Sequence, residues 1–169
     1  MSQIPAEHRA TAPDAVTCAV ITVSDTRTPE TDSGGQTVHD LLVAGGFSVA
    51  AREIIRDEPP QMRSLLARFR DDDRIDAVLL TGGTGLGSRD QTYETVTALL
   101  TKPLPGYGEL FRMLSYQEIG AAAMLSRATA GLMDRTVILT MPGSPAAVRL
   151  AMEKLIVPEL RHLVREARR

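Results

Sequence analysis

The sequence predicts an α/β domain built on a mostly parallel sheet with helices on both faces. Three observations carry this. Short, almost wholly apolar runs at 16–23, 75–80 and 136–140 have the composition of strands buried on both sides. They alternate with amphipathic helical stretches, which is the sequence form of βαβ units. Loops rich in Gly, Ser, Thr and Asp follow the strands, where an open α/β sheet gathers its ligands.

Residues 1–14 are polar and contain proline, and read as a flexible N-terminal arm ahead of a single domain at 15–169. The first strand, 16–23, leads into a long polar loop at 24–35. The helix that follows, about 35–44, places Val38, Leu41 and Leu42 on one face and stops at Gly45-Gly46. Residues 47–55 form a second strand, and its polar content places it nearer the sheet edge. After the 56–60 loop, Met62, Leu65, Leu66 and Phe69 recur at helical spacing to about residue 70. Asp71-Asp72-Asp73 reads as a solvated turn. The third strand, 75–80, runs into Thr81-Gly82-Gly83-Thr84-Gly85. A helix then begins near Asp90 or Thr92 and carries Val96, Leu99 and Leu100. Two prolines and two glycines break the chain at 102–108, and two helical stretches are expected at 108–115 and 116–125. Residues 128–133 read either as loop or as a short extra strand. The strand at 136–140 precedes a last long helix that opens at Pro145 with Ser144 as its cap. Pro158 is expected to break or kink that helix.

At 169 residues the chain has the size of one ordinary domain, and 43% apolar composition suffices for a core. A net charge of −2 argues against a nucleic-acid backbone binder, which needs a local Lys/Arg excess. It leaves a small anionic ligand open, because a few backbone N–H groups can hold one. Cys18, the one cysteine, sits in an apolar strand and excludes an intrachain disulfide. His8, His39 and His162 lie far apart in sequence. No stretch has the length of a membrane helix and no apolar leader core precedes the first strand, so the expected location is cytoplasmic.

The loop 81–90 carries the strongest local signal. Gly82, Gly83 and Gly85 permit close backbone approach, and Thr81 and Thr84 add hydroxyls before a helix N-terminus. The alternatives are a phosphate cradle and a tight structural turn. In the cradle reading, a β-branched residue at Gly83 weakens ligand binding more than folding. The loop lacks the Gly-Lys-Ser/Thr of a Walker A motif, and its glycines follow the third strand rather than the first. Pro142-Gly143-Ser144 repeats the pattern in small, with Ser144 either capping the helix or meeting a phosphate. The first loop offers Ser24, Asp25, Thr26, Asp32, Ser33 and Gly34, with Arg27 as a candidate anion clamp. Asp57 and Asp90 follow predicted strands at one sheet edge. Each can serve as a plain cap, and together they can hold Mg²⁺, which takes a few carboxylates plus substrate phosphates.

Further along, Pro105-Gly106-Tyr107-Gly108-Glu109-Leu110-Phe111-Arg112, Leu114-Ser115-Tyr116, Ala123-Met124-Leu125-Ser126-Arg127-Ala128-Thr129-Ala130-Gly131 and Pro158-Glu159-Leu160 add to Thr81 through Gly85, Arg89-Asp90 and Pro142-Gly143-Ser144. Over about residues 16–164 this set resembles the molybdenum cofactor biosynthesis protein B and molybdopterin adenylyltransferase family. The resemblance implies a three-layer αβα molybdopterin-binding domain that assembles as trimers or hexamers. It implies Mg²⁺, with ATP and molybdopterin as substrates, AMP transfer to the terminal phosphate of molybdopterin and release of pyrophosphate. It assigns the functional aspartates to Asp57 and Asp90, and pocket positions to Ser24, Asp25, Ser33, Gly34, Ser126, Arg127, Pro142, Gly143 and Ser144. Relatives often carry proline after Asp-x-Thr, where this chain reads Asp90-Gln91-Thr92-Tyr93. A non-catalytic molybdopterin-binding protein or carrier in the same pathway is the alternative, with a molybdate-insertion protein as a possible partner in either case. Small and apolar residues between Gly106 and Ala123 are candidates for subunit contact.

Overall fold

In a computed structural model, residues 15–169 are described; the arm expected at 1–14 lies outside them. The described residues form one six-stranded sheet from β1 (Thr17–Val23), β2 (Ser48–Ile55), β3 (Ala77–Thr81), β4 (Lys102–Pro103), β5 (Ala130–Met133) and β6 (Thr136–Met141). The order is β2-β1-β3-β6-β5-β4. β2, β1, β3 and β6 run parallel, and β5 and β4 add an antiparallel edge. The polar second strand is at an edge, as its composition predicts.

Side-chain alternation divides the interior into two cores. Cys18 and Val20, Ala77 and Leu79, and Val137 and Leu139 enter one. Ala19 and Ile21, Val78 and Leu80, and Ile138 enter the other. The first is covered by α1 (Ser33–Ala44), α4 (Pro105–Ile119) and the C-terminal helical run, through Val38, Leu42, Tyr107, Phe111, Val148, Ile156 and Leu160. The second is covered by α2 (Pro59–Arg70) and α3 (Thr92–Thr97), through Met62, Leu66, Phe69 and Val96. This is the three-layer αβα arrangement. The chain leaves β1 toward β2 on one side and returns to β3 on the other, so the sheet's switch point lies between the carboxyl ends of β1 and β3.

Several elements differ from expectation. One fifteen-residue helix, α4, replaces the two expected at 108–115 and 116–125, and a 3₁₀ helix (Gly120–Leu125) follows it. Gly120, at φ +63°, makes the break. α3 ends at Thr97, leaving Leu99 and Leu100 beyond the helix but packed on the second core. Residues 130–133 form a strand, and Lys102–Pro103 pairs with it at the outer edge, where a proline costs no ladder bond. Pro158 neither breaks nor ends the helix. α5 (Pro145–Ala151) passes through a π turn (Met152–Ile156) into α6 (Val157–Ala167), with Pro158 in the first turn of α6. The wider turn accommodates the missing N–H and the ring. Asp71-Asp72-Asp73 forms a turn whose carboxylates pair with Arg70, Arg74 and Arg135. No helix among the described residues is long and apolar enough to cross a membrane.

Candidate functional site

The carboxyl ends of β1, β3 and β6 converge on the glycine loop. Gly82 adopts φ +98°, and a Cβ there would collide with the carbonyl of Val23 at the end of β1. Its N–H donates to the Met141 carbonyl at the end of β6 (3.1 Å). Gly143 lies 3.4 Å from Gly82 Cα, measured from where its own Cβ would stand. The Thr81 hydroxyl donates to the Pro142 carbonyl (3.3 Å). These contacts bring the glycine loop and the Pro142-Gly143-Ser144 turn together, as the parallel sheet requires.

Two clefts meet at this junction and share Gly82 and Gly143. The larger, about 400 Å³, has a polar side of Gly83, Thr84, Gly85 and Asp90, with Pro142 and Ser144. Its other side is largely apolar, formed by Phe111, Ile119, Ala122, Ala123 and Leu125, with Ser126 at its margin. The smaller, about 260 Å³, is lined by Thr22, Ser24, Thr26, Arg27, Asp32, Gly34 and Thr81. Asp25, Ser33, Asp57 and Arg127 line neither. A still larger cavity, about 630 Å³, lies at the other end of the strands, by the amino ends of β3 and β6, where carboxylates and arginines pair with one another.

Within the loop, much of the backbone is already engaged. Gly87 N–H donates to Asp90 Oδ2 (2.9 Å), Gln91 N–H to Asp57 Oδ1 (3.1 Å) and Thr92 N–H to the Gly83 carbonyl (3.0 Å). The N–H groups of Gly83, Thr84 and Gly85 take no partner among the described residues. They are the donors left for an anion. Gly83, at φ +63°, also lies directly over the Asp57 carboxylate and the Thr92 hydroxyl, with which any Cβ would collide. A side chain at Gly83 therefore disturbs the fold itself, contrary to the expectation of a mainly ligand-directed effect.

Asp57 is buried behind this loop. Burial raises its carboxyl pKa, the Gln91 N–H offsets part of that, and the charges of Asp90 and Asp25 raise it further. Asp25 is clamped by Arg89 through three bonds of 3.0–3.1 Å, which, with the Asp57 N–H, lower its pKa. The sequence reading named Asp25 but gave Arg89 no role. The fully buried Thr92 hydroxyl, to which that reading assigned no role, has no hydrogen-bond partner among the described residues. No group of three His, Cys, Asp or Glu side chains among the described residues could hold a metal by itself. Asp90 lines the larger cleft, whereas Asp57 lines neither cleft.

The first loop is partly structural. Asp32 is buried and caps α1, accepting from the Gly35 N–H (2.9 Å), the Thr22 hydroxyl (2.9 Å) and Arg52 (2.8 Å). The Ser24 hydroxyl accepts from the Thr26 and Arg27 N–H groups (both 3.2 Å) within its own turn. Arg27 donates to the Thr31 carbonyl (2.9 Å) at the rim of the smaller cleft. Ser33 is exposed at the start of α1, and Ser144 caps α5 through Ala147 N–H (3.3 Å). Ser144 thus caps the helix and lines the larger cleft.

Residues 19–162 match the family described as a probable molybdopterin binding domain. Over 165 residues the chain is 55% identical to molybdenum cofactor biosynthesis protein B of Bacillus subtilis, covering 96% of each chain. A crystal structure of a molybdenum cofactor biosynthesis protein B superposes with a TM-score of 0.89 at 49% identity, covering 94% of this chain and 99% of that one. The tungsten cofactor synthesizing protein MoaB of Pyrococcus furiosus superposes at 0.82 with 35% identity, covering 94% and 100%.

Proposed function

The chain belongs to the molybdopterin-binding domain family, and from that premise we propose that it binds molybdopterin in the larger cleft and, with Mg²⁺-ATP, transfers AMP to its terminal phosphate, releasing pyrophosphate. Its pathway is molybdenum cofactor biosynthesis. One observation supports the site above others: Gly83, Thr84 and Gly85, whose N–H groups take no partner among the described residues, line one cleft together with the apolar Phe111, Ile119, Ala122, Ala123 and Leu125. That suits a flat heterocycle ending in a phosphate, with the ring on the wall and the anion on the loop.

When bound, Mg²⁺ would neutralise charge on the transferred and departing phosphates. Asp90, on the larger cleft, and Asp57, buried behind the glycine loop, would hold it. The glycine-loop N–H groups would orient the accepting phosphate, and the apolar wall would exclude water from the ring. Incubation with molybdopterin, ATP and Mg²⁺, followed by mass analysis, tests this; adenylylated molybdopterin is the expected product.

A second reading is binding or carriage without transfer. Two observations favour it. The carboxylates near the loop each already accept from a protein donor: Asp25 from Arg89, Asp57 from Gln91 and Asp90 from Gly87. The matched family is described by molybdopterin binding. Retained molybdopterin with no adenylylated product would select this reading.

Gly34→Ala separates ligand binding from folding. Its added methyl would meet the Gly143 carbonyl at 3.6 Å and the Thr81 hydroxyl at 3.8 Å, ordinary contact distances, inside the smaller cleft. The position is helical with negative φ, so stability should hold or rise by up to about 1 kcal/mol. ATP or molybdopterin affinity should fall roughly tenfold, the cost of a displaced close backbone contact. Paired thermal melts and calorimetry decide it; unchanged affinity for both ligands removes the smaller cleft from the site.

We also propose that the protein is a homo-oligomer, a trimer or hexamer, which hands its product to a molybdate-insertion protein. Leu110, Met113, Tyr116, Ile119, Met124 and Leu125 are exposed along α4 and the 3₁₀ helix, a concentration that favours burial against another chain. Light scattering at micromolar concentration should report a multiple of the chain mass, and Met113→Glu with Ile119→Glu should shift it downward. A wild-type species of one chain mass would sink the proposal.

A further inference from the structure

We propose that Arg127 is a positioning residue that holds residues 84–94, and with them the main chain of Asp90, in their working shape without touching the phosphate. The inference rests on the reading of the glycine loop as the phosphate site. Family resemblance alone would have made Arg127 a pocket residue. The structure places its guanidinium behind the loop, with the side chain only 20% exposed. Nε donates to the Thr84 carbonyl (3.1 Å), and Nη2 donates to the carbonyls of Gly85 and Asp90, the latter at 3.2 Å. Nη1 meets the Glu94 carboxylate in α3, and the guanidinium lies 5.2 Å from the centre of the Tyr93 ring.

A guanidinium has five N–H donors. These bonds leave one of them, so a two-pronged grip on phosphate is not available. The acceptors are spread along a single segment whose other bonds are internal to it or run to Gly83, Asp57 and Asp25, so that, among the described residues, Arg127 alone ties the carbonyls of Thr84, Gly85 and Asp90 to one another. Gly85 and Gly87 sit in it, and its first helical turn starts at Thr92 and Tyr93, without a proline to preset the backbone. A planar cation bonded to three successive parts of the segment supplies that constraint. Because one bond ends on the Asp90 carbonyl, the position of the Asp90 carboxylate depends on it too.

Arg127→Ala and Arg127→Lys separate the possibilities through three measurements on the full-length protein. Amide hydrogen exchange without ligand should accelerate at least about tenfold at Gly87, Asp90, Gln91 and Thr92, whose N–H groups are hydrogen-bonded within or behind the segment, as local opening becomes easier. The Mg²⁺ concentration giving half-maximal AMP transfer should rise about tenfold or more, the usual consequence of losing an outer support of a metal ligand. The molybdopterin dissociation constant should change less than about threefold, since no bond to the ligand is lost. Lysine keeps the charge but cannot span the same carbonyls, so it should resemble alanine. It also serves as the readable variant if alanine fails to fold. A large loss of molybdopterin affinity, repaired by lysine and with exchange and Mg²⁺ dependence unchanged, would overturn the proposal and make Arg127 a direct phosphate ligand. If wild-type protein transfers no AMP, the transfer reading falls, and exchange with the molybdopterin titration still decides the role of Arg127.

Discussion

Replacing Asp32 by alanine is expected to destabilise the fold by about 3 kcal/mol, combining a lost helix cap with a broken, mostly buried ion pair. The side chain is 1% exposed and accepts from Gly35 N–H, Thr22 Oγ1 and Arg52 Nη2. It therefore fastens the start of α1 to the interior of β1 and to the edge strand β2. Alanine would leave Arg52 without its carboxylate and Thr22 without its acceptor. Because the Arg52 side chain is 24% exposed, water would soften the first loss. Burial alone would raise the pKa of Asp32, but bonds from Arg52, Gly35 and Thr22 outweigh it and hold the carboxyl below its ordinary value. The sign follows from linkage. The native state holds the ionised form more tightly, so this stability is present above the unfolded pKa of about 4 and is lost as pH falls through the lower folded pKa. Urea unfolding at one fixed protein concentration should show the full deficit at pH 7 and a shrinking one below pH 4. Asp32→Asn, which keeps a capping oxygen, should fall between. A deficit under about 1 kcal/mol at pH 7 would mean the three bonds are replaceable by water.

Asp32 also shows where sequence reasoning stops. Its residue type and its place before Ser33-Gly34-Gly35 were visible, and so was the loop's length. Its partner Arg52 lies on another strand, and only sheet pairing brings the two together. The same holds for Asp25 and Arg89, and for Arg127 with the carbonyls of Thr84, Gly85 and Asp90. The central strands were legible because burial on both faces demands unbroken apolar runs, as in Ala77–Thr81. Lys102–Pro103 was not, because two residues on an outer edge have no periodicity and proline argues against a ladder. Pro158 signalled a break that does not occur: a π turn, invisible in composition, precedes it and lets the helix continue past it. The glycine loop was legible as a place of close approach. That Gly83 is needed to clear Asp57 and Thr92 depends on the fold.

Asp57→Asn and Asp90→Asn are each expected to lower AMP transfer by about 10²-fold or more, the scale of one lost preorganised electrostatic contact. Asparagine matches aspartate in size and keeps an oxygen for the Gln91 N–H at Asp57 or the Gly87 N–H at Asp90. What it removes is the negative charge that a hard cation requires. The fold should therefore persist, and at Asp57 it should gain. Burial and the charges of Asp90 and Asp25 hold that carboxyl above its ordinary pKa. A raised folded pKa means the native state favours the protonated form. The associated stability is present below the unfolded pKa and lost as pH rises through the folded one. At neutral pH the ionised Asp57 thus weighs against the ligand-free fold, and Asp57→Asn should melt at the same temperature or higher, with the advantage vanishing in acid. Transfer by the wild type should need more Mg²⁺ as pH falls through the raised pKa, because the ion must then displace a proton. Molybdopterin binding should survive in both variants, since it is assigned to the N–H groups of Gly83, Thr84 and Gly85 and to the apolar wall. Single-turnover transfer, a molybdopterin titration and thermal melts, each over a Mg²⁺ series, make the test. Near wild-type transfer in both variants would take the aspartates out of the reaction. Lost molybdopterin binding in either would move that carboxylate from the metal to the substrate.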